Sequence, residues 1–281
     1  MVKQLKVGLF RSAGSVHLMA AADEDRLAQA GLDVSIDWVT SSDQQLGRWD
    51  SGEYDVMHSS PDHLLRPGRR RDPVIVLGGG IGELAVYMRA GTEVGEARWG
   101  VDAAESAFAL VLRAIVEDVG GHAVAPEDLI PVGGTQQRLQ ALLDGQVDGA
   151  TLSPPFSQMA ERNGLRRLGG HLDVVPEYLS TVVVVSRSAI GSAWVDEYRE
   201  ALEDSARDLS AGGRERIADV LERNGWSREV AEDAAEGVLG PAGVEGIKVP
   251  SLDNLQAVIA LRKRFYPDWQ LPGPPEALLA G

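Results

Sequence analysis

The fold class follows from two stretches of sequence, SDQQLGRWDSGEYDVMHSSP at residues 42–61 and TQQRLQALLDGQVDGATLSP at residues 135–154. They align without a gap at a constant offset of 93. Identical residues occupy the pairs Gln44 and Gln137, Leu46 and Leu139, Gly52 and Gly145, Asp55 and Asp148, Ser60 and Ser153, and Pro61 and Pro154. Upstream, at an offset shorter by one, KVGLFRSAGSVHLMA (6–20) lies on RWGVDAAESAFALVL (98–112). The chain therefore contains two successive copies of one supersecondary unit.

Strand and helix patterns alternate through both copies. Strands are expected at 4–10, 32–40, 54–58, 73–77, 83–89, 97–101, 129–132, 147–152 and 179–186, and helices at 15–30, 43–49, 104–119, 136–143 and through most of 194–265. This alternation predicts an α/β fold of parallel strands with right-handed crossovers, with the late helices packed on the first lobe. Ligands of such folds lie beyond the carboxyl ends of the strands, so two facing sheets would form a cleft.

Composition excludes several classes of function. The chain has 281 residues, a formal charge of −15 and no cysteine. An acidic surface does not suit a nucleic-acid partner, and the one basic run, at 66–71, contains Pro and Gly and is interpreted as a solvated loop rather than a partner patch. Without cysteine there is no disulfide framework and no thiolate metal site.

The amino terminus, MVKQLKVGLF, runs directly into the first strand pattern and shows neither an apolar export segment nor a lipobox cysteine. We therefore expect a cytoplasmic protein as the chain stands, or a periplasmic or extracellular one if an export signal has been removed. No stretch approaches the roughly 20 apolar residues that a membrane span requires.

Several runs resemble one known family. GTQQRLQALLDGQVDGA (134–150), followed by SPP (153–155), resembles the second-lobe signature of the alkanesulfonate, nitrate and taurine binding proteins and of thiamin-pyrimidine-synthase-like proteins. VGLFRSAGSVHLMAA (7–21), LAQAGLDVSIDWV (27–39) and SGEYDVMHSSPDHL (51–64) are similar to the family's first-lobe opening. The resemblance covers residues 4–187, and the helical carboxyl third carries no matching motif.

The resemblance implies a two-lobed type II periplasmic-binding-protein fold, with two Rossmann-like lobes, a hinge and a helical C-terminal third. It places lobe 1 at 1–81 plus 182–281 and lobe 2 at 82–181, with crossings near 80–82 and 179–181. It further implies an ABC-transporter substrate-binding protein, with a small anionic or polar organic ligand in the cleft and an ABC permease as partner. The ligand contacts implied by position are Arg11, Ser12, His58, Ser59, Ser60, Gly79, Gly80, Glu105, Ser106, Ser153 and Pro154.

Arg11 and the serines are suited to an anion. Arg11 directly follows the first strand, where a guanidinium group can hold a carboxylate or sulfonate through two hydrogen bonds. The alternative is a surface arginine paired with an acidic residue. Serines at strand ends and helix starts cap helices, and the adjacent amides can hold an anion.

His17 and His58 are the histidines nearest the expected cleft, and with Glu83 and Glu105 they are the available acid and base groups. A structural role is the alternative for each. Histidine spacing matches no standard ligand pair, so no metal site is predicted. A dinucleotide motif starting at Gly78 would need glycine where Glu83 stands, so no cofactor is predicted and the glycine run indicates a hinge or a close approach of the ligand.

Two functions remain open from the sequence. The first is a binding protein whose lobes close on a small molecule. The second is a cytoplasmic enzyme on the same scaffold, a lyase, decarboxylase, dehydratase or cofactor-biosynthesis enzyme, with His58 or Glu105 as catalytic base and Arg11 holding a carboxylate. The missing export signal weakens the transport role, and the lack of cysteine argues against the chemistry of the fungal thiamin-pyrimidine synthase.

Overall fold

The chain forms two five-stranded sheets with helices on their faces. A computed structural model describes residues 2–65, 71–80 and 82–280. The basic run at 66–71 therefore lies outside the described residues, except for Arg71, whose guanidinium group stacks on the ring of Trp49 at 4.3 Å.

Each sheet takes strands from both halves of the sequence. The first sheet contains β1 (Lys3–Phe10), β2 (Leu32–Val39), β3 (Val56–Ser59), β4 (Pro73–Gly79) and β10 (Thr181–Ser186), in the order β2-β1-β3-β10-β4. The second contains β5 (Ala85–Met88), β6 (Trp99–Val101), β7 (Leu129–Pro131), β8 (Gly149–Leu152) and β9 (Arg166–Gly170), in the order β7-β6-β8-β5-β9. We call each sheet with its flanking helices lobe 1 and lobe 2.

The expected parallel strands are present, but each sheet is mixed because it also contains antiparallel pairs. Strand β10 runs antiparallel to β3 and β4, and β5 runs antiparallel to β8 and β9. These two strands are the ones that follow a passage from the other lobe, so they enter their sheet from the opposite direction. The passages lie between β4 and β5 and between β9 and β10, and the exact lobe boundaries stay a prediction.

The helices are α1 (Val16–Asp23), α2 (Arg26–Gln29), α3 (Ser42–Asp50), α4 (Pro61–Leu64), α5 (Ala107–Asp118), α6 (Thr135–Leu143), α7 (Phe156–Arg162), α8 (His171–Val174), α9 (Ala193–Arg223), α10 (Arg228–Leu239) and α11 (Leu252–Phe265). The single helix expected at 15–30 is interrupted, because Asp25 adopts a left-handed conformation with φ of 56°. Helix α5 begins later than expected, since the Ser106 hydroxyl accepts a hydrogen bond from the Ala109 amide at 3.2 Å. Sequence patterns did not reveal β9 or α7.

The two lobes correspond in their hydrogen bonds as well as in the order of their strands. In lobe 1, the Lys6 amide donates to the carboxylate of Asp55 at 2.9 Å. In lobe 2, the Arg98 amide donates to the carboxylate of Asp148 at 3.0 Å. The backbone amides of Asp55 and Asp148 in turn donate hydrogen bonds to the carbonyl oxygens of Lys6 and Arg98, respectively. The two aligned sequence segments therefore fold as equivalent units.

The carboxyl-terminal helices do not all pack on lobe 1, contrary to the expectation. Helix α9 lies against α1 of lobe 1, whereas α11 contacts both α4 of lobe 1 and α5 of lobe 2. Val258 and Leu261 of α11 join the buried core of the second sheet. Helix α10 also contacts α7 of lobe 2, so this helical third connects the two lobes.

The glycine run after β4 brings two backbone segments together. A Cβ atom at Gly80 would lie 2.3 Å from the carbonyl oxygen of Gly243, and one at Gly82 would lie 2.5 Å from that of Gly237. Gly82 also has a positive φ of 80°. Close packing against α10 and the residues that follow it therefore requires glycine at positions 80 and 82. Ile81, between these two glycines, lies outside the described residues.

No helix among the described residues is both long enough and apolar enough to cross a membrane.

A buried ion pair ties the last long helix to both lobes. Arg262 on α11 donates to Asp62 on α4 at 2.6 Å, and the two side chains are only 5% and 1% exposed. The same guanidinium group donates to the carbonyl oxygen of Glu105, just before α5, at 3.0 Å. Asp62 therefore holds a cation that links lobe 1 with the start of a lobe 2 helix.

Replacing Arg262 with alanine would leave the Asp62 carboxylate buried without its cation. We expect Arg262→Ala to lower the free energy of unfolding by about 3–5 kcal/mol, measured by urea denaturation. Arg264→Ala is the matched control on the same helix, because Arg264 pairs with Glu117 and Asp118 at the surface and should cost at most about 1 kcal/mol. Equal losses in the two variants would contradict this role of the buried pair.

Candidate functional site

A cavity of about 250 Å³ lies between the lobes. Its wall includes residues at the carboxyl ends of four strands, namely Phe10 of β1, Ser59 of β3, Asp102 directly after β6 and Ser153 directly after β8. These strands are the repeat-related pairs β1 with β6 and β3 with β8. The cavity therefore lies at the edge of the sheets where the sequence placed the cleft.

The cavity wall brings together most of the residues that the sequence proposed as ligand contacts or as acid and base groups. These are Arg11, Ser12, His17, His58, Ser59, Ser60, Gly79, Gly80, Ser106 and Ser153. Contact between these residues and a ligand stays a prediction.

Three of the proposed residues do not line the cavity. Glu83 pairs with Arg167 at 2.8 Å on lobe 2. The side chain of Glu105 is exposed, and its carbonyl oxygen accepts from Arg262 as described above. Pro154 contributes a link between the lobes, because its carbonyl oxygen accepts from the Ala13 amide at 3.3 Å.

Sequence reasoning missed other residues of the cavity wall. They are chiefly the polar residues Ser42, His63, Asp102, Thr135, Gln136, Gln137 and Arg138 and the aromatic residues Phe10, Trp38 and Phe108. The sequence repeat could have pointed to two of them. It aligns Asp102 with Phe10, which stands next to the expected site, and it aligns Arg138 with Gln45 inside the longer aligned segment.

Gln45 and Arg138 perform the same structural task in their lobes. The Gln45 amide group donates to the carbonyl oxygens of Gly8 and His58 at 3.0 and 2.9 Å. Arg138 donates through Nε to the carbonyl oxygen of Thr151, the repeat equivalent of His58, at 2.8 Å. The equivalent position is therefore neutral in lobe 1 and cationic in lobe 2.

Arg138 is a buried cation at the cavity wall, with 2% of its surface exposed. Its remaining bonds go to the carbonyl oxygen of Gly133 at 3.1 Å and the Thr135 hydroxyl at 2.9 Å. Desolvation by burial lowers the pKa of Arg138, and the charge of Asp102 partly offsets this. A guanidinium group has five N–H donors, so two of those of Arg138 remain for another acceptor.

Asp102 faces Arg138 from the end of β6 and connects the lobes. The Ser42 hydroxyl of lobe 1 donates to Asp102 Oδ2 at 2.8 Å. Burial raises the pKa of Asp102, but the charge of Arg138 and the hydroxyls of Ser106 and Ser42 outweigh it and hold the pKa below its usual value. The carboxylate is therefore ionised at neutral pH.

Two histidines on lobe 1 are held neutral beside the cavity. His17 and His58 stack with their ring centroids 6.0 Å apart, and His58 Nε2 lies 2.9 Å from the buried Tyr198 hydroxyl. Burial lowers the pKa of His17 to about 4, which the Gly14 backbone offsets only in part. Burial together with the neighbouring His17 lowers the pKa of His58 to about 3. Neither nitrogen of His17 has a partner in hydrogen-bonding geometry.

The serines after β3 differ in their bonding. Ser59 donates to Gln45 Oε1 at 2.7 Å, which leaves its oxygen to accept from His63 Nδ1 at 3.0 Å. The Ser60 hydroxyl is buried without a hydrogen-bond partner. Ser59 is therefore committed to the structure, whereas Ser60 retains its full bonding capacity.

Arg11 is engaged by the carboxyl-terminal third rather than by an acidic side chain. Its Nη2 donates to the carbonyl oxygen of Asn224 at 2.9 Å, and its guanidinium group lies 5.0 Å from the ring of Trp226. The side chain is exposed and lines the cavity. Most of its N–H donors therefore remain available at the cleft.

The amino-terminal ends of four helices also meet at the cavity. The lining residues at these ends are Ser15 before α1, Ser42 in α3, Ser106 to Phe108 at α5, and Gly134 to Gln137 at α6. The first amides of a helix have no partner within the helix, and the helix dipole makes that end positive. Four such ends favour negative charge in the cavity.

No group of three or more histidine, aspartate and glutamate side chains in the described part of the chain is arranged to hold a metal ion. The absence of a metal or cofactor stays a prediction.

No protein-family model and no curated protein matches the sequence. Solved structures match over almost the whole chain. A zinc-bound ligand-binding component of an ABC-type import system from Staphylococcus aureus has a TM-score of 0.78 at 14% identity, over 98% of each chain. The chain has the two-lobed type II periplasmic-binding-protein fold.

Two further structures share this periplasmic-binding-protein fold. The alkanesulfonate-binding protein SsuA from Xanthomonas axonopodis pv. citri, bound to MOPS, has a TM-score of 0.75 at 18% identity, over 99% of this chain and 98% of SsuA. The nitrate-binding protein NrtA from Synechocystis PCC 6803 has a TM-score of 0.76 at 11% identity, over 99% of this chain and 84% of NrtA. The resemblance seen in the sequence is confirmed at the level of the fold.

The buried histidines predict acid sensitivity of this binding-protein fold. Their folded pKa values of about 4 and 3 lie below the unfolded value near 6.5, so the unfolded chain binds more protons as the pH falls. The contribution of the two neutral histidines to the free energy of unfolding is fully present well above pH 6.5 and is lost as the pH falls. By pH 5 each histidine should lower the free energy of unfolding by about 2 kcal/mol, measured by urea denaturation.

In His17→Asn, the free energy of unfolding should fall less steeply with decreasing pH, because only one of the two buried histidines remains to be protonated. His122→Asn, at an exposed position, is the control and should reproduce the wild-type profile. A His17→Asn profile as steep as that of the wild type would contradict the assignment.

Proposed function

We propose that this chain is the substrate-binding component of an ABC-type importer and holds a small organic acid or another polar organic molecule between its lobes. One observation supports this most directly: the starts of α1, α3, α5 and α6 converge with Arg11 and Arg138 on one cavity between the lobes. An ABC permease is the partner that this role implies.

The charge of the cavity favours an acidic group. Arg11 and Arg138 are cationic, the helix ends add partial positive charge, and Asp102 is the opposing group. His17 and His58 contribute no charge at neutral pH, because burial lowers the pKa of each. A carboxylate or sulfonate would therefore find several donors in one place.

The size and the apolar wall of the cavity favour a small ligand with a carbon skeleton. A volume of about 250 Å³ lies just below the roughly 300–1,000 Å³ of sites for drug-sized molecules. Phe10, Trp38 and Phe108 provide aromatic surface next to the polar groups. A small metabolite with one apolar portion fits both features.

The structural neighbours support the same role. SsuA is an alkanesulfonate-binding protein, NrtA is a nitrate-binding protein, and the protein from S. aureus is the ligand-binding component of an import system. All three are binding proteins of this fold, and two are named for anions.

The enzyme alternative is not favoured. His58 has its Nε2 next to the Tyr198 hydroxyl, and burial lowers its pKa to about 3, so it is a weak base. Glu105, the other proposed base, does not line the cavity.

Ligand binding should raise the melting temperature. We expect at least one member of a panel of small carboxylates, sulfonates, amino acids and nitrate to stabilise the protein by about 2.7 kcal/mol at 100 times its dissociation constant. Thermal-shift measurements would detect this, and calorimetry would give the affinity. A panel in which no compound shifts the transition would overturn the proposed function.

The ligand found in this way tests Arg11 directly. Arg11→Ala should weaken its binding by about 2–4 kcal/mol, because a ligand that fills the cavity covers the exposed guanidinium group and removes it from water. Arg214→Ala is the matched control, because Arg214 pairs with Glu236 at the surface outside the cavity. Unchanged calorimetric affinity in Arg11→Ala would remove Arg11 from the site.

A further inference from the structure

The turn that joins α9 to α10, residues 224–226, lies against Arg11. The carbonyl oxygen of Asn224 accepts from Arg11 Nη2 at 2.9 Å, and a Cβ atom at Gly225 would lie 3.2 Å from the same nitrogen. The guanidinium group also lies over the ring of Trp226, 5.0 Å from the ring centroid. All three residues of the turn therefore approach a guanidinium group that lines the cavity.

This turn is anchored to lobe 1. The Asn224 side chain donates from Nδ2 to the carboxylate of Asp23, at the end of α1, and to the carbonyl oxygen of Val220, both at 2.9 Å. The Trp226 amide donates to the carbonyl oxygen of Leu221 at 3.2 Å. These bonds fix the backbone of the turn on α1 and α9, so the fold sets where the indole ring stands relative to Arg11.

The indole ring reaches lobe 2 on its other side. It meets the ring of Phe156, at the start of α7, edge to face with the centroids 5.8 Å apart. Trp226 packs against the buried residues of α1, α9 and α10 and also against the lobe 2 core that includes Phe156. Further along α7, Arg162 pairs with Glu229 and Asp233 of α10 at 2.5 and 2.6 Å. Trp226 thus stands between Arg11 and a helix of lobe 2.

Arg11 needs such support because its side chain is exposed. Ordering a long, flexible side chain on a bound molecule costs conformational entropy. The bond to Asn224 alone would leave the guanidinium group free to turn about a single N–H···O contact. An aromatic ring against the group fixes its plane, since the ring face attracts the cation, and the N–H groups at the edges stay free for acceptors.

We propose that Trp226 is a positioning residue, which holds the guanidinium group of Arg11 in the orientation that meets an acid group in the cavity and is itself held by Phe156. Trp226 is not among the described residues that line the cavity, so it acts through Arg11. This inference rests on the proposed function. It makes the affinity for an acid depend on the turn between α9 and α10 and on its contact with lobe 2.

A purely structural role for Trp226 would have different consequences. Its indole nitrogen is buried without a hydrogen-bond partner among the described residues, so the ring itself makes the contacts. If packing were its whole role, replacing the ring would lower the stability of the protein and leave Arg11 as ordered as before. The orientation of Arg11 is therefore the quantity to measure.

Nuclear magnetic resonance of the Arg11 side chain measures this in the full chain without any added compound. The Arg11 signals are assigned by their loss in Arg11→Lys. We expect an upfield ring-current shift and a restricted Nε–H group in the wild type. Trp226→Leu, which keeps an apolar side chain, should abolish both, and Trp226→Phe, which keeps an aromatic face, should retain most of each.

Unchanged Arg11 signals in Trp226→Leu would overturn the inference and leave the proposed function standing. Wild-type signals without an upfield shift would overturn it as well, and that measurement needs no variant to fold. Phe156→Leu should loosen Arg11 to a degree between the wild type and Trp226→Leu. Wild-type order of Arg11 in Phe156→Leu would overturn the link to lobe 2.

Trp194→Leu is the matched control. Trp194 is likewise a half-buried tryptophan next to a cation, with Lys3 Nζ 5.7 Å from its ring centroid, and it is not among the described residues that line the cavity. This variant should leave the Arg11 signals unchanged. A change as large as that in Trp226→Leu would contradict a specific role for Trp226.

Calorimetry with propionate, butyrate and ethanesulfonate measures the consequence for binding. Trp226→Leu should weaken the acids that bind the wild type by about 5-fold or more, and Trp226→Phe by about 2-fold or less. In the Arg11→Ala background, Trp226→Leu should have no further effect, because the indole acts through Arg11. Equal losses in both backgrounds would overturn the positioning role.

The wild-type protein separates this inference from the proposed function. If it binds none of the three acids but binds another compound of the thermal-shift panel, the role of Trp226 in acid binding is overturned alone. If no compound of the panel binds, the proposed function is overturned together with that role.

Discussion

The structure depends on two strands, one in each sheet, that directly follow a strand of the other sheet along the chain. Strand β5 follows β4 of the first sheet but pairs in the second, and β10 returns to the first. The two passages begin and end at neighbouring residues, since Gly79 pairs with Thr181 in the first sheet and Ala85 pairs with Gly170 in the second. This arrangement places the carboxyl ends of the parallel strands of both sheets around one space.

The charge in that space is independent of the charge of the whole protein. The chain carries a formal charge of −15, yet the arginine, lysine, aspartate and glutamate side chains that line the cavity, among the described residues, are Arg11, Arg138 and Asp102. Helix ends add further positive potential, and burial removes the charge of His17 and His58. Close groups in a poorly solvated site dominate over distant surface charges, which water and salt screen.

The sequence duplication explains why the two lobes are equivalent in fold while their cavity walls differ in chemistry. The repeat preserves backbone tasks, such as the aspartate bonds at Asp55 and Asp148, because both lobes need the same turn. It does not preserve the chemistry of the wall, where Gln45 in lobe 1 corresponds to Arg138 in lobe 2. The result is a lobe 1 wall with Arg11, histidines and serines, and a lobe 2 wall that carries the opposite charges of Arg138 and Asp102.

The sequence by itself determined the repeat, the α/β class and the places where strands end at the cleft. These features depend on local patterns, since turn residues and the spacing of apolar residues act over a few neighbours. That is why Ser60 and Ser153, paired by the offset, both reach the cavity.

Only the tertiary structure decided the directions of β5 and β10, the connection of both lobes by α11, and which acidic residue lines the cavity. Glu83 and Glu105 were plausible from position, but Glu83 pairs with Arg167 and Glu105 turns toward solvent, while Asp102 lines the cavity. The direction of a side chain depends on packing against residues far away in sequence, and local patterns carry no information about those contacts.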